Sequence, residues 1–225
     1  MSDGKLVGAE ALLRWRHPTL GDIPPAEFVP LVEQTALARP MTEWVLGAAL
    51  EQQAAWRAEG TPIVVSVNVS ARNLEEADFL ERLTAHLALR ALPAESLELE
   101  MTETALMRNA EQVLAQLEGL RDMGVTLAID DFGTGYSNFA YLRKLPARAV
   151  KLDRSFVSDL DPDPGARPLA RAMIGIAHDL GLRVVAEGVE NQGTLDVLRA
   201  WGCDEVQGYF TGRPMTPAAL REAFG

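Results

Sequence analysis

The sequence predicts an α/β fold and, within that class, a TIM-like β/α barrel of parallel strands. Short apolar runs rich in valine and leucine alternate with longer amphipathic stretches along the 225 residues. Roughly seven strand–helix units fill this length, which is the scale of one β/α barrel. Most of the apolar runs also end in a polar side chain. An open, doubly wound sheet is the alternative fold, and the polar strand ends favour the barrel.

Seven apolar runs are predicted strands, because they are short and bounded by polar or turn-forming residues. In chain order they read LVGAEALLRW, IVVSVNVS, LELEMTE, VTLAIDD, AVKLD, RVVAEG and DEVQGYF. Nearly continuous apolar runs are typical of parallel strands that helices cover on both faces. The proline-rich stretch 161–168 is predicted to be a loop between a strand and a helix, and we expect a single domain over residues 1–225.

Three amphipathic stretches are predicted helices: residues 41–59, 109–123 and 191–201. The first should bury one side, formed by Trp44, Val45, Ala48 and Trp56. The other two begin at a capping asparagine, Asn109 or Asn191. Each ends before a glycine, Gly124 or Gly202, which is a common C-terminal stop.

Composition excludes several classes of protein. Hydrophobic residues make up 48% and charged residues 24%, as in ordinary soluble domains. A net charge of −11 repels a phosphate backbone and disfavours duplex nucleic acid as a partner. No apolar run suggests a membrane span or a signal peptide. One cysteine, Cys203, allows no internal disulfide and should be a small buried apolar residue, so a cytoplasmic location is expected.

Polar side chains follow the predicted strands in sequence order. They are Glu10, Asn68, Glu100, Glu103, Asp130, Asp131, Lys151, Asp153, Glu187 and Gln207. In a β/α barrel the C-terminal strand ends converge on one face, where active sites lie. Converging carboxylates repel one another unless a cation sits among them. Oxygen ligands favour Mg²⁺ or Mn²⁺, and the adjacent aspartates could reach two ions about 3.5–4 Å apart.

Each of these motifs is weak when taken alone. Adjacent aspartates are usually a solvated turn, a strand-terminal glutamate or asparagine is usually a helix cap, and Lys151 could be a surface charge. Polar residues that recur at the ends of seven predicted strands are hard to explain by helix capping alone. The histidines, His17, His86 and His178, lie outside this series, so no zinc site is predicted.

Eight motifs of the chain match a known family. In order, they are EALLRW, PPAEFVPLVEQT, SVNVSARNL, LELEMTET, IDDFGTGYSNFAYLRKLP, VKLDRSFV, VVAEGVEN and GCDEVQGYFTGRPM. The chain resembles the EAL-domain phosphodiesterases, which hydrolyse the bacterial second messenger cyclic di-GMP. The resemblance runs from Leu6 to Pro214 in the family's order and spacing.

The resemblance implies a role for each matched position. The implied ligands of a first metal ion are Glu10, Asn68, Glu100 and Asp130. Asp131 and, through water, Glu187 would serve a second ion. Lys151 would hold and polarise the attacking water. Glu103 would order the loop at residues 132–142, which couples metal binding to homodimer contacts.

The resemblance also implies substrate contacts. Arg14 would bind a phosphate, although a salt bridge to a nearby acidic residue is the structural alternative. Leu13, Asp153 and Gln207 are further candidate substrate contacts. Phe28, with Pro30 in the loop after the first strand, is placed where the family contacts a guanine, and packing alone explains it nearly as well. Tyr136, Trp44, Trp56 and Trp201 are interpreted as packing residues.

One feature departs from the family. Only nine residues precede Glu10, so the barrel is expected to lack the family's first strand. Asn138 and Phe139 replace commoner residues in the loop after the aspartates, a mild change.

The leading function is hydrolysis of cyclic di-GMP to linear pGpG by two-metal activation of water. One alternative is a catalytically inactive receptor that binds cyclic di-GMP. A weaker alternative is a protein-interaction scaffold whose catalytic site no longer functions. Fusion to sensor or cyclase domains in a longer protein is a further expectation.

Overall fold

The computed structural model describes residues 4–108, 110–135 and 139–224. Their contacts divide the chain into two compact units, which are described separately. The first unit comprises Met1–Leu6, Glu100–Ala110 and Thr126–Gly225. The second comprises Val7–Leu99 and Glu111–Val125.

Nine strands are formed by the described residues. They are β1 (Gly8–Glu10), β2 (Trp15–His17), β3 (Gly21–Ile23), β4 (Val64–Asn68), β5 (Leu97–Thr102), β6 (Thr126–Phe132), β7 (Ala149–Leu152), β8 (Arg183–Ala186) and β9 (Glu205–Val206). Seven of them follow the sheet order β1-β4-β5-β6-β7-β8-β9. The pairs β1–β4, β6–β7, β7–β8 and β8–β9 are parallel. Each of the seven predicted runs overlaps one of these strands, so the prediction of an α/β fold with parallel strands is confirmed.

The two remaining strands form a hairpin that the sequence did not predict. β2 and β3 pair antiparallel, with Trp15 opposite Ile23 and His17 opposite Gly21. The first predicted strand was therefore too long, because β1 ends at Glu10 and Trp15 already belongs to the hairpin. Gly21 has a φ of +76°, which glycine adopts without strain as the chain enters β3.

Ten α-helices are formed by the described residues. They are α1 (Pro25–Val32), α2 (Ala38–Ala58), α3 (Ala71–Glu75), α4 (Phe79–Leu89), α5 (Glu103–Arg108), α6 (Ala110–Met123), α7 (Phe139–Leu142), α8 (Arg167–Asp179), α9 (Gln192–Ala200) and α10 (Pro217–Phe224). Short 3₁₀ helices span Ala94–Ser96 and Arg154–Phe156. None of the helices in the described ranges is long and apolar enough to cross a membrane.

The predicted helices at 41–59, 109–123 and 191–201 correspond to α2, α6 and α9. Gly124 follows α6 with a φ of +94°. The side chain of Asn191 caps α9 by accepting the backbone N–H of Thr194 at 2.8 Å, as predicted. The other predicted cap, Asn109, lies outside the described residues.

The buried face of α2 was predicted wrongly in part. Trp44 is 64% exposed and Ala48 is also exposed, whereas Trp56 is buried. The buried stripe consists of Ala38, Thr42, Leu46, Ala49, Leu50, Gln53 and Trp56. Trp44 lies two residues from both Thr42 and Leu46, and at about 100° per residue this places it on the opposite face.

The core of each unit is built from strand residues covered by helices. In the first unit Ala128, Ile129 and Val150 are inaccessible to solvent, as are Val67 and Leu50 in the second. Cys203 is buried as predicted, and burial raises the pKa of its thiol to about 12.

Candidate active site

A bulge at the end of β6 changes the direction of the adjacent aspartates. Ile129 pairs with Val150 and Phe132 with Leu152, so β6 carries one residue more than β7 over this interval. Asp131 has a φ of +54°, in the left-handed region that aspartate tolerates better than most residues. Successive side chains of a regular strand point to opposite faces, and the bulge breaks this alternation between Asp130 and Asp131.

Lys151 on β7 lies among three carboxylates, which come from β5, from β6 and from the residue that follows β8. Its Nζ is 2.6 Å from Glu100 Oε2, 2.8 Å from Glu187 Oε1 and 3.7 Å from Asp130 Oδ1. The side chains of Lys151 and Glu100 are each 2% exposed, and those of Asp130 and Glu187 are 15% and 22% exposed. We call Glu100, Asp130, Lys151 and Glu187 the Lys151 cluster. Its ammonium supplies the cation that converging carboxylates require.

Asp131 extends the negative charge beyond the Lys151 cluster. Its pKa is raised chiefly by burial and then by the charges of Asp130 and Asp153, while Lys151 acts in the opposite direction. The folded protein therefore disfavours the ionised form of this carboxyl in the absence of a further cation. The backbone N–H of Asp131 donates to Asp130 Oδ1 at 2.9 Å, which holds the two side chains in a fixed relation.

Glu103 contacts the loop that follows the aspartates. Its carboxylate is buried, with the residue 1% exposed, and Oε2 accepts the backbone N–H of Gly133 at 2.9 Å. A Cβ built on Gly135 would lie 3.3 Å from the same carboxyl group. Gly133 has a φ of +98°, where a side chain would also meet Met173. Glu103 thus contacts the start of this loop, whereas Tyr136 and Asn138 lie outside the described residues.

Glu10 and Asn68 form a pair within the second unit. They end β1 and β4, and Asn68 Nδ2 donates to Glu10 Oε1 at 2.8 Å. Glu10 is held by its parallel register with Ser66, whose carbonyl also accepts the N–H of Ala11 at 2.9 Å. The structure therefore brings these two predicted metal ligands together.

The candidate substrate residues are more dispersed. Arg14 is exposed and its guanidinium donates to the carbonyl of its neighbour Leu13 at 2.8 Å. No salt bridge from Arg14 is seen among the described residues. Phe28 is 7% exposed and packs against the ring of Trp15, as an ordinary core residue would.

Asp153 and Gln207 occupy different surroundings in the first unit. Asp153 caps the 3₁₀ helix by accepting the N–H of Ser155 at 3.0 Å. Gln207 pairs with the sheet through its backbone N–H, which donates to Ala186 at 2.8 Å. A pocket of about 180 Å³ beside it is lined by Arg154, Glu187, Gly188, Glu190, Gln207, Gly208 and Tyr209.

Carboxylate and amide oxygens suit a hard divalent cation, and the residues above supply this donor set. Among the described residues, no three His, Cys, Asp or Glu side chains form a compact metal-binding group. Glu100 and Glu187 both turn an oxygen toward the ammonium of Lys151. The sequence predicts a cation in this series and Lys151 as a site residue, but it does not show that the lysine pairs with three of the carboxylates.

A comparison with protein families decides the identity of the domain. The EAL domain family model matches residues 1–214. This chain belongs to the EAL domain family. Its α/β fold is the TIM-like β/α fold of that family, as predicted from the sequence.

Named relatives agree with this assignment. A cyclic di-GMP phosphodiesterase of Pseudomonas aeruginosa is 49% identical over 219 residues, which are 97% of this chain and 37% of that protein. The cyclic di-GMP phosphodiesterase NbdA of the same organism is 44% identical, over 99% of this chain and 28% of its own length. The chain thus spans about a third of the length of these relatives.

A solved structure extends the comparison to the backbone. The PaMucR phosphodiesterase in complex with c-di-GMP is 40% identical and superimposes with a TM-score of 0.89. The match covers 95% of this chain and 87% of that one. The full-length MucR of Pseudomonas aeruginosa is named a bifunctional diguanylate cyclase/cyclic di-GMP phosphodiesterase, and this chain spans 32% of it.

Proposed function

We propose that this EAL domain is a metal-dependent phosphodiesterase that hydrolyses cyclic di-GMP to linear pGpG. The observation that carries the proposal is the Lys151 cluster, a buried ammonium held by Glu100 and Glu187 beside the adjacent aspartates. Support comes from the names of the relatives and from the c-di-GMP complex of a domain with the same fold.

The metal ligands are proposed on the chemistry of their oxygen atoms and on the family resemblance. We assign Glu100, Asp130, Asp131 and Glu187 to this role, and Glu10 and Asn68 with them. EAL phosphodiesterases need divalent metal ions, and we propose two, Mg²⁺ or Mn²⁺. When bound, two such ions supply charge neutralisation at the phosphodiester and an activated water.

Residues of the protein itself are proposed to orient a water molecule, to neutralise negative charge and to position a loop. The two carboxylates at 2.6 and 2.8 Å fix the ammonium of Lys151, which suits it to orient a water molecule and to stabilise negative charge on phosphate oxygens. Glu103 fixes the start of the loop after Asp131 through the N–H of Gly133. Its proposed role is therefore to position that loop.

Substrate binding is proposed for Arg14, Leu13, Phe28, Asp153 and Gln207. Arg14 is the residue suited to a phosphate, since a guanidinium offers paired N–H donors to two oxygens. The remaining residues are proposed from the resemblance. The homodimer contact through residues 132–142, a single domain over the chain and a cytoplasmic location also remain predictions.

The experiment compares product formation in three proteins. The wild type, Asp130→Asn and the control Asp122→Asn are incubated with cyclic di-GMP and Mn²⁺ or Mg²⁺, and nucleotides are separated by chromatography. Asp122 is an exposed partner of Arg121, so its substitution should leave the rate unchanged. Asp130→Asn keeps the acceptor for the N–H of Asp131 but loses a charge, and its rate should fall by about 100-fold or more.

Two outcomes would refute the proposal. If the folded wild type binds cyclic di-GMP but forms no pGpG with either metal, the chain acts as a receptor. If Asp130→Asn retains the wild-type rate, the Lys151 cluster is not the catalytic centre.

A further inference from the structure

The segment 11–14 carries two proposed substrate contacts, Leu13 and Arg14, and it is anchored at both ends. Before it, the N–H of Ala11 donates to the carbonyl of Ser66, which continues the pairing of β1 with β4. After it, Trp15 begins the β2–β3 hairpin. The four residues themselves belong to no strand or helix. The position of Arg14 therefore depends on how firmly the hairpin is held.

The exposed side chains of the hairpin contribute little to holding β2 and β3 together. Leu20 at its turn is 72% exposed. Arg16 and Asp22 approach at 3.9 Å, but their side chains are 88% and 87% exposed, and such pairs contribute little. An isolated two-stranded hairpin is at best marginally stable in water. Specific contacts must therefore hold it closed.

His17 provides the contacts at the turn. Its Nδ1 accepts the backbone N–H groups of Thr19 and Leu20, each at 3.2 Å, and lies 3.1 Å from the hydroxyl of Thr19. Because backbone N–H groups can only donate, Nδ1 acts as the acceptor and the neutral ring carries its proton on Nε2. The imidazole thereby closes the chain reversal between β2 and β3.

Trp15 joins the closed hairpin to α1. Its ring meets that of His17 edge to face, with centroids 5.8 Å apart and an interplanar angle of 79°. On the other side it meets Phe28 with centroids 5.2 Å apart and an angle of 74°. Phe28 is 7% exposed, so the hairpin is tied to a fixed point of α1. His17, Trp15 and Phe28 form one chain of aromatic contacts, and Arg14 directly precedes the middle member.

We propose that His17 is a positioning residue: by accepting the N–H groups of Thr19 and Leu20 it closes the β2–β3 hairpin and so fixes the segment that presents Arg14 to a phosphate of the substrate. The role of Arg14 in this statement rests on the proposed function. The fixing of the segment does not, because it follows from contacts within the protein.

The test uses three variants of the whole chain. His17→Leu removes the acceptor. His17→Asn keeps one, because an asparagine oxygen can accept backbone N–H groups two or three residues ahead. Leu20→Ser is the matched control, since it alters the exposed tip and leaves the backbone N–H of residue 20 in place. The measurements are kcat and KM for cyclic di-GMP, and amide hydrogen exchange over residues 12–20.

His17→Leu should raise KM about tenfold and change kcat by less than about threefold, because a binding contact is lost while the reacting groups stay in place. Exchange should become faster at Thr19 and Leu20 and also over residues 12–14. His17→Asn should restore both measurements to near wild-type values, and Leu20→Ser should leave both unchanged.

Two results would overturn the proposal. In one, His17→Leu exchanges faster at Thr19 and Leu20 but keeps the wild-type KM. In the other, His17→Asn shows the same rise in KM and the same faster exchange as His17→Leu. If the wild type does not hydrolyse cyclic di-GMP, the proposed function fails by itself. Exchange over residues 12–14 then decides: faster exchange in His17→Leu supports the positioning role, and unchanged exchange contradicts it.

Discussion

Replacing Lys151 by methionine tests whether its ammonium neutralises the carboxylates around it. Methionine has a similar length and no charge. In the metal-free protein the change leaves Glu100, whose side chain is 2% exposed, without the cation at 2.6 Å, and it also removes the cation from Glu187 at 2.8 Å. Loss of one partner of a buried ion pair is strongly destabilising, because the remaining charge stays away from water.

The expected size follows from burial and distance. Breaking a buried pair costs about 3–5 kcal/mol. Glu187 is 22% exposed, so water compensates part of its loss, and Asp130 at 3.7 Å adds little. We therefore expect a loss near the lower value, about 3 kcal/mol. At about 2–4 °C per kcal/mol for a domain of this size, the unfolding midpoint in EDTA should fall by about 6–12 °C.

The assay is thermal unfolding of the wild type, Lys151→Met and the control Lys144→Met, each in EDTA and in Mn²⁺. Lys144 is exposed, so its substitution should leave the midpoint unchanged. Mn²⁺ should raise the midpoint of Lys151→Met more than that of the wild type, because a bound cation replaces the missing charge. If the midpoint of Lys151→Met in EDTA equals that of the wild type, the ammonium of Lys151 does not stabilise the buried carboxylates.

Three further predictions concern single residues. Burial and the charges of Asp130 and Asp153 raise the pKa of Asp131. Ionisation of this carboxyl therefore lowers the free energy of unfolding as pH rises to and through the raised pKa. Asp131→Asn should therefore raise the unfolding midpoint in EDTA at pH 7 while abolishing hydrolysis, with the gain disappearing below about pH 4; a lowered midpoint at pH 7 would contradict this. Glu103→Ala should cost about 1–3 kcal/mol and speed amide exchange at Gly133, whereas Glu103→Gln, which keeps an acceptor, should lose much less; equal losses in urea unfolding would show that the hydrogen bond is not the cause. The Cys203 thiol, 4% exposed and with a pKa of about 12, should react with a thiol reagent only after unfolding, so rapid labelling of the native protein would argue against its burial.

The parallel strands could be predicted because their signal is local. Runs such as Ala149–Leu152, buried at every position, read as strands from the sequence itself. The hairpin at Trp15–His17 was missed because its strands are three residues long and mostly exposed, so neither burial nor alternation marks them. Which face of α2 is buried depends on the elements that pack against it. The large apolar side chain of Trp44 therefore favoured a wrong prediction of the buried face.

In the candidate site, too, the residue types could be predicted from the sequence, whereas contacts between distant residues could not. The residue types at the strand ends, and the family they match, could be recognised along the chain. The bulge that turns Asp131 into the left-handed region could not, because it depends on the pairing of β6 with β7. Lys151 and Glu100 are 51 positions apart, so their ion pair is visible only in the folded protein.

The proposed hydrolysis requires that the carboxylates beside Lys151 hold divalent cations. Anomalous diffraction from crystals grown with Mn²⁺ and cyclic di-GMP tests it most directly. Mn²⁺ scattering is expected within bonding distance of the carboxylates of Asp130 and Asp131. Crystals that contain Mn²⁺ and bound nucleotide but show no scattering at these two carboxylates would contradict it.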